Sequence, residues 1–182
     1  RQGMSQLSDV QAPIEYRMPA GDGKIALRVT PVTLDAGNVS SNYNTNSRFG
    51  GGPAGGLATA PGGSSNIGSQ KQSGLGLGIA YESARLQADL GTTPLGFRYT
   101  DINGGVKVKG PITNEVSYTA DLSRRAVTDS VLSFAGARDD RTGQTWGGVS
   151  ATGGRLEVGW DDGVYGVYGY GSFHAVTGNN VV

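Results

Sequence analysis

The sequence predicts an all-β chain, an antiparallel meander of about seven strands forming part of a larger transmembrane β-barrel. Three observations carry this expectation. Helical periodicity is almost absent. Segments of period-2 alternation recur instead, between turn signals such as Gly21-Asp22-Gly23, Asn103-Gly104-Gly105, Gly110-Pro111 and Asp161-Asp162-Gly163. Glycine supplies 32 of the 182 residues, against a usual share of about 7%. The connections between alternating segments are short and long in strict turn.

Residues 1–20 are mixed and polar, contain Pro13 and Pro19, and read as a periplasmic arm leading into a domain at 21–182. In 23–30, Ile25, Leu27 and Val29 share one face, and Lys24, Arg28 and Thr30 the other. The stretch 36–73 holds Gly50-Gly51-Gly52-Pro53 and Pro61-Gly62-Gly63-Ser64-Ser65-Asn66. It is too poor in apolar residues to order itself by burial and is expected as a long flexible loop. In 74–81, Leu75, Leu77, Ile79 and Tyr81 oppose glycines and Ala80. In 84–91, Leu86, Ala88 and Leu90 oppose Arg85, Gln87 and Asp89. In 98–110, Ile102, Val106 and Val108 oppose Asp101, Asn103, Lys107 and Lys109. In 115–124, Val116, Tyr118, Ala120 and Leu122 oppose Ser117, Thr119, Asp121 and Ser123. In 154–160, Leu156, Val158 and Trp160 oppose Arg155, Glu157 and Gly159. In 164–175, Tyr168, Tyr170, Ser172 and His174 oppose Tyr165, Val167, Phe173 and Ala175.

The connections at 82–83, 110–114 and 161–163 are short, whereas 31–73 is very long, 92–96 moderate and 125–147 long. Short turns at one end and long loops at the other are the layout of an outer-membrane barrel, with one strand face toward lipid and the other toward a wet lumen. A soluble or surface-exposed β-sandwich, binding carbohydrate or an adhesin partner, would bury the apolar face against a second sheet. Periodicity alone does not separate the two; the turn and loop asymmetry and the glycine content favour the barrel. A general diffusion porin is a further alternative. Bacterial single-chain barrels carry an even number of strands, about 8 or more, so seven strands followed by a loop-like Thr177-Gly178-Asn179-Asn180 are expected to be the first part of a larger barrel.

Composition excludes other classes. There are no cysteines, hence no disulfides or thiolate metal sites, and His174 is the only histidine. The 15 basic and 15 acidic residues cancel, so binding to nucleic acid through net charge is not expected. Hydrophobic residues make up 36%, thin for a compact soluble core. No run of about 18 apolar residues marks a transmembrane helix, and Arg1-Gln2-Gly3-Met4 opens no signal-peptide core.

Each candidate site also has a plainer role. Gly74-Leu75-Gly76-Leu77-Gly78 has no following helix to form a phosphate-binding loop and reads as small lumen-facing residues in a strand. Asp139-Asp140 and Asp161-Asp162 have the composition of a calcium site or a glycosidase carboxylate pair. Asp161-Asp162-Gly163 is, however, ordinary turn chemistry. Arg124-Arg125 with Asp121, Asp129, Arg138, Asp139, Asp140 and Arg141 reads as a salt-bridged loop. No nucleophile with a base partner is visible, so an enzyme is not expected, nor any cofactor or metal.

Longer motifs add a resemblance. Ser123-Arg124-Arg125-Ala126-Val127-Thr128-Asp129-Ser130-Val131-Leu132-Ser133-Phe134-Ala135-Gly136 continues into Ala137-Arg138-Asp139-Asp140-Arg141-Thr142-Gly143-Gln144-Thr145-Trp146-Gly147-Gly148-Val149. With Gly91-Thr92-Thr93-Pro94-Leu95-Gly96-Phe97 and Arg28-Val29-Thr30-Pro31-Val32-Thr33-Leu34-Asp35-Ala36-Gly37, this resembles the C-terminal outer-membrane domain of bacterial cellulose synthase operon protein C over about residues 20–182. The resemblance implies an outer-membrane barrel of about sixteen strands, roughly twice what is visible here. It also implies a preceding periplasmic helical-repeat region of the same polypeptide, linked to the inner-membrane synthase. The implied function is export of cellulose, a β-1,4-glucan, or a related exopolysaccharide. A glucan presents apolar ring faces and equatorial hydroxyls, and transport needs many weak sites with no deep one. Tyr168, Tyr170 and His174, with Arg155, Glu157 and Asp121, fit lumen-facing polysaccharide contacts. The plainer role for the tyrosines is packing or an interfacial belt. Trp160 reads as belt, and Trp146 as part of a long loop that folds inward.

Overall fold

A computed structural model describes residues 7–39, 41–49 and 52–180. Ten strands form one open antiparallel sheet: β1 (Ser8–Gln11), β2 (Ile14–Ala20), β3 (Gly23–Asn38), β4 (Ser69–Glu82), β5 (Leu86–Thr92), β6 (Ile102–Pro111), β7 (Val116–Ala126), β8 (Ala137–Arg138), β9 (Thr145–Asp161) and β10 (Gly166–Asn179). The spatial order is β1-β3-β4-β5-β6-β7-β9-β10, with β2 also on β3 and β8 also on β9. Three short helices lie in the long connections: α1 (Tyr43–Arg48), α2 (Gly52–Gly55) and α3 (Val131–Phe134). The chain is all-β, and all seven expected strands are present.

Two expectations change. Residues 8–20, expected as an arm, are paired along the edge of the sheet: β1 lies opposite Val32–Asp35 and β2 opposite Gly23–Val29. They act as one edge strand broken at Ala12-Pro13. Proline lacks an N–H and is tolerated at such an edge. Residues 1–6 of that arm lie outside the described residues. The loop expected over 36–73 narrows, because β3 runs to Asn38 and β4 starts at Ser69. Within it, the Asn42 side chain caps α1 by accepting from the Thr45 N–H at 3.0 Å.

Directly paired residues share a face, so the register separates the two sides of the sheet. One side carries Ile14, Tyr16, Leu27, Val29, Leu77, Ile79, Leu90, Val106, Leu122, Leu156, Val158 and Phe173, all exposed. Among the described residues no second sheet covers this face. The other side carries Lys24, Arg28, Glu82, Asp89, Lys107, Asp121, Arg155 and Glu157, interleaved with Ala26, Gly78, Ala80, Gly91, Gly105 and Gly153. Arg155 and Leu156 therefore face opposite ways, as the alternation predicts. Arg85, expected in a strand, lies in the tight turn before β5.

The alternation changes phase near Pro31. Before it, the outward residues Ile25, Leu27 and Val29 are apolar. After it, the inward residues Val32, Leu34 and Ala36 are buried, and Thr33 and Asp35 point outward. The inward side chains pack with Phe97, Val131, Phe134 and Ala135, and the Phe97 and Phe134 rings meet edge-on with centroids 5.1 Å apart. This core sits at the long-connection end, on the polar side of the sheet. Below it opens a cavity of about 620 Å³, which Phe134 and Thr128 reach from above and Arg28, Glu82, Asp89 and Arg125 line from the strands.

Candidate functional site

The six residues expected to touch polysaccharide lie on three strands of the polar face. Asp121 of β7 is opposite Arg155 of β9, which is opposite Ser172 of β10. Two residues nearer the short turns, Glu157 is opposite Tyr170, and beyond it Gly159 is opposite Tyr168. His174 lies opposite Gly153, one level toward the long connections. The structure thus brings all six to one side of adjacent strands, which the period-2 pattern alone requires.

Their contacts are specific in the centre of the group. The Arg155 guanidinium carbon stands 3.9 Å from the centroid of the Tyr170 ring, a cation–π distance. The same guanidinium donates to Glu157 at 2.5 Å. Asp121 accepts from the Ser123 hydroxyl at 3.4 Å. Tyr168 (71% exposed) and Tyr170 (59%) belong to β10, which is exposed along its whole length. Flat aromatic faces beside paired donors and acceptors suit a ligand with apolar ring faces and equatorial hydroxyls.

Arg28 and Asp89, both expected on this face, have charged partners there that the alternation does not supply. Glu15 of β2 accepts from Arg28 of β3 at 2.5 Å and also pairs with Arg17. Arg125 of β7 makes a two-pronged contact with Asp89 of β5, at 2.5 and 2.6 Å. Asp89 and Arg125 are far apart in sequence, and only the strand order reveals the pair. The Glu15 contacts were legible in part, because Ile14, Tyr16 and Met18 alternate with Glu15 and Arg17.

The glycines of the expected lumen strand divide into two kinds. A Cβ on Gly76 or Gly78 would meet nothing nearer than 3.6 or 3.8 Å, whereas one on Gly74 would stand 2.4 Å from the Leu95 carbonyl oxygen. Gly76 and Gly78 therefore leave space above the sheet, and Gly74 lets the 93–101 connection lie against it.

The long connections interlock. Asp139 and Arg141, with side chains 2% and 0% exposed, pair at 2.8 Å. Arg141 also donates to the Gly55 and Asn46 carbonyls at 2.5 and 3.3 Å. Gln70 exchanges hydrogen bonds with the Arg138 backbone, and the Asp140 N–H donates to Ile67 at 2.9 Å. Burial by itself would raise the Asp139 pKa. Hydrogen bonds and charge from Arg141, with backbone N–H groups of Arg141 and Thr142, outweigh it and hold the carboxyl below the usual range. Trp146, expected in the loop, opens β9 and meets Phe49 edge-on, centroids 6.0 Å apart. Gly147 beside it has φ +110°, and a Cβ there would stand 1.8 Å from the Leu132 carbonyl oxygen, so only glycine lets β9 run under α3.

The two aspartate pairs have structural partners. Asp139 is held by Arg141. Asp162 accepts from the N–H groups of Tyr165 and Val164, which lower its pKa, and Asp161 accepts from Gly163 at 2.7 Å. Among the described residues no three His, Cys, Asp or Glu side chains converge as a metal site would need. Trp160 lies on the apolar face opposite Val116 and Val167, its indole N–H donating to Glu115 at 3.0 Å.

Comparison with known proteins matches residues 5–182 to the family described as cellulose synthase operon protein C C-terminus. The chain is 49% identical to cellulose synthase operon protein C of Pseudomonas fluorescens (strain SBW25) over 98% of its own length and 13% of that protein's. It is 33% identical to cellulose synthase 2 operon protein C of Komagataeibacter xylinus over 99% of its length and 14% of that protein's. It is 31% identical to the Escherichia coli (strain K12) cellulose synthase operon protein C over 98% of its length and 15% of that protein's. The chain thus spans well under a fifth of the relatives it matches.

Proposed function

From the premise that the chain belongs to the cellulose synthase operon protein C C-terminal family, we propose that it forms part of an outer-membrane β-barrel that conducts cellulose or a related exopolysaccharide out of the cell. A role in cellulose biosynthesis follows the relatives' names. The reading of a channel rests on one observation above all, the two-faced sheet: an exposed apolar side, and a polar, glycine-rich side that lines a cavity.

The outward apolar residues run from Leu75 to Tyr81 on β4 and from Val116 to Leu122 on β7, and give way to Ser73 and Arg124. With their flanking positions these stretches approach the about 9–11 residues a tilted strand needs to cross a hydrocarbon core. Trp160, Tyr118 and Tyr81 lie on this face toward the short-turn end, where an aromatic girdle would sit. On the polar side, Tyr168, Tyr170, His174, Arg155, Glu157 and Asp121 act as shallow contacts along which a glucan slides. The remaining strands, a periplasmic helical-repeat region and the inner-membrane synthase belong to the same proposal.

Gly78 supplies the test, because it lines the cavity and a Cβ there meets nothing closer than 3.8 Å. Gly78→Trp in the full-length protein is expected to cut secreted cellulose by about tenfold, at wild-type levels of folded barrel, since passage demands an open path. Unchanged secretion at equal barrel levels would contradict the proposal.

A further inference from the structure

One transverse row on the polar face carries a pattern that the individual contacts do not explain. Reading across the sheet, Lys24 is opposite Glu82, Glu82 opposite Gln87, Gln87 opposite Lys107, Lys107 opposite Asp121, Asp121 opposite Arg155, and Arg155 opposite Ser172. The row crosses seven strands along one line of directly paired residues, and its charges alternate in sign at every charged position. Toward the long connections the next row is mostly small, with Ala26, Ala80, Gly105, Ser123 and Gly153, and carries one charged residue, Asp89, and His174. Glu82 and Gln87 of the charged row line the cavity, and Lys24, Lys107, Asp121 and Arg155 continue the row across the same face.

Its charges are not spent on each other. Among the described residues, no ion pair joins Lys24 to Glu82 or Lys107 to Asp121, and Arg155 pairs with Glu157 instead. Glu82 and Asp121 hold only weak contacts, at 3.4 Å, from Gln87 and Ser123. Opposite charges on facing strands keep the row close to neutral while leaving donors and acceptors available on the polar face.

We propose that this row is a collar selecting an uncharged, hydroxyl-rich polymer over a charged one. It gives sugar hydroxyls ammonium and guanidinium donors beside carboxylate acceptors. Its near-zero sum denies a polyanion or a polycation the net field that would concentrate it. A block of one sign would reverse that preference. The collar rests on the polysaccharide-channel reading above and adds to it the charge class of the polymer.

The test uses the full-length protein in planar lipid bilayers at low salt, where unscreened charge acts most strongly. Ion current is recorded with cellohexaose, which is uncharged, and with hexagalacturonate, which carries a carboxylate on every sugar. Wild type is expected to be blocked by cellohexaose with no preference for hexagalacturonate. Asp121→Lys joins Lys107 and Arg155 into a positive block. It should raise the apparent affinity for hexagalacturonate about tenfold and turn the channel anion-selective. Lys107→Glu joins Glu82 and Asp121 into a negative block and should shift both readouts the other way. Opposite shifts from two variants cannot arise from misfolding. If cellohexaose blocks all three proteins and neither substitution moves the hexagalacturonate preference, the collar is refuted and the channel reading stands. If neither sugar blocks the wild type, the polysaccharide reading fails and the collar falls with it.

Discussion

Tyr170 and Arg155 show how one residue pair can serve a sliding polymer. The guanidinium lies over the ring and is also tied to Glu157, so the ring is held while the tyrosine remains exposed. Stacking on such a ring contributes on the order of 1 kcal/mol, weak enough for release. Tyr168→Ala with Tyr170→Ala in the full-length protein should therefore lower secreted cellulose without lowering barrel assembly. Arg155→Glu should impair export less, since a neutral glucan feels a changed lumen field only weakly, but it should move ion selectivity. Secreted cellulose measured at matched outer-membrane levels decides this. Export untouched by the tyrosine pair, with ion selectivity still responding at position 155, would make the tyrosines packing residues.

At the scale of elements, the docked connections are the part with most at stake in single side chains. Arg141 is buried against Asp139 and two carbonyls of the 41–55 segment. Arg141→Met leaves the buried Asp139 carboxylate with backbone N–H donors but no opposite charge, a loss of up to about 3–5 kcal/mol. Amide hydrogen exchange should speed up over 43–48 and 137–144 and stay slow in β6 and β7. Acid should do the same to the wild type. The Asp139 pKa is lower folded than unfolded, so its stabilisation is fully present above the ordinary aspartate value of about 3.9. It is lost as pH falls through the lower folded value. Exchange over these segments that is indifferent to Arg141→Met and to acid would show that the pair does not hold the loops.

The element scale also explains what the sequence could reveal. Where Ile25, Leu27 and Val29 face outward and Lys24 and Arg28 inward, alternation marks the strand directly. It fails beyond Pro31 because the environments exchange: Thr33 and Asp35 point to the outside, and Val32 and Leu34 meet α3 and Phe97. A strand whose apolar side changes midway looks like the end of a strand. Residues 14–20 alternate through Ile14, Tyr16 and Met18, but Pro13 and Pro19 hide them, because proline breaks an inner strand and not an edge. The order of the candidate site was legible, since Arg155, Glu157, Tyr168 and Tyr170 needed only the period of a strand. The pairings Asp89–Arg125 and Arg141–Asn46 were not, because they depend on which segments fold beside each other.

On the scale of the whole molecule, the strands do two jobs along their length. Near the short turns they are apolar outside and polar inside. Near the long connections the same strands are polar outside and enclose a small core. That division is what a membrane-spanning wall with a packed mouth requires, and a soluble sheet has no reason to keep so many outward leucines, isoleucines and valines exposed. The account therefore stands on the direction of alternate residues in β9. Nitroxide spin labels placed one at a time at Arg155, Leu156, Glu157, Val158, Gly159 and Trp160 of the full-length protein in liposomes report their collisions with oxygen, which dissolves in lipid, and with a polar nickel chelate, which stays in water. Labels at 156, 158 and 160 should favour oxygen and those at 155, 157 and 159 the chelate, alternating residue by residue. An inverted alternation, or equal access to the chelate at all six positions, would contradict the assignment of one face to lipid and the other to a water-filled lumen.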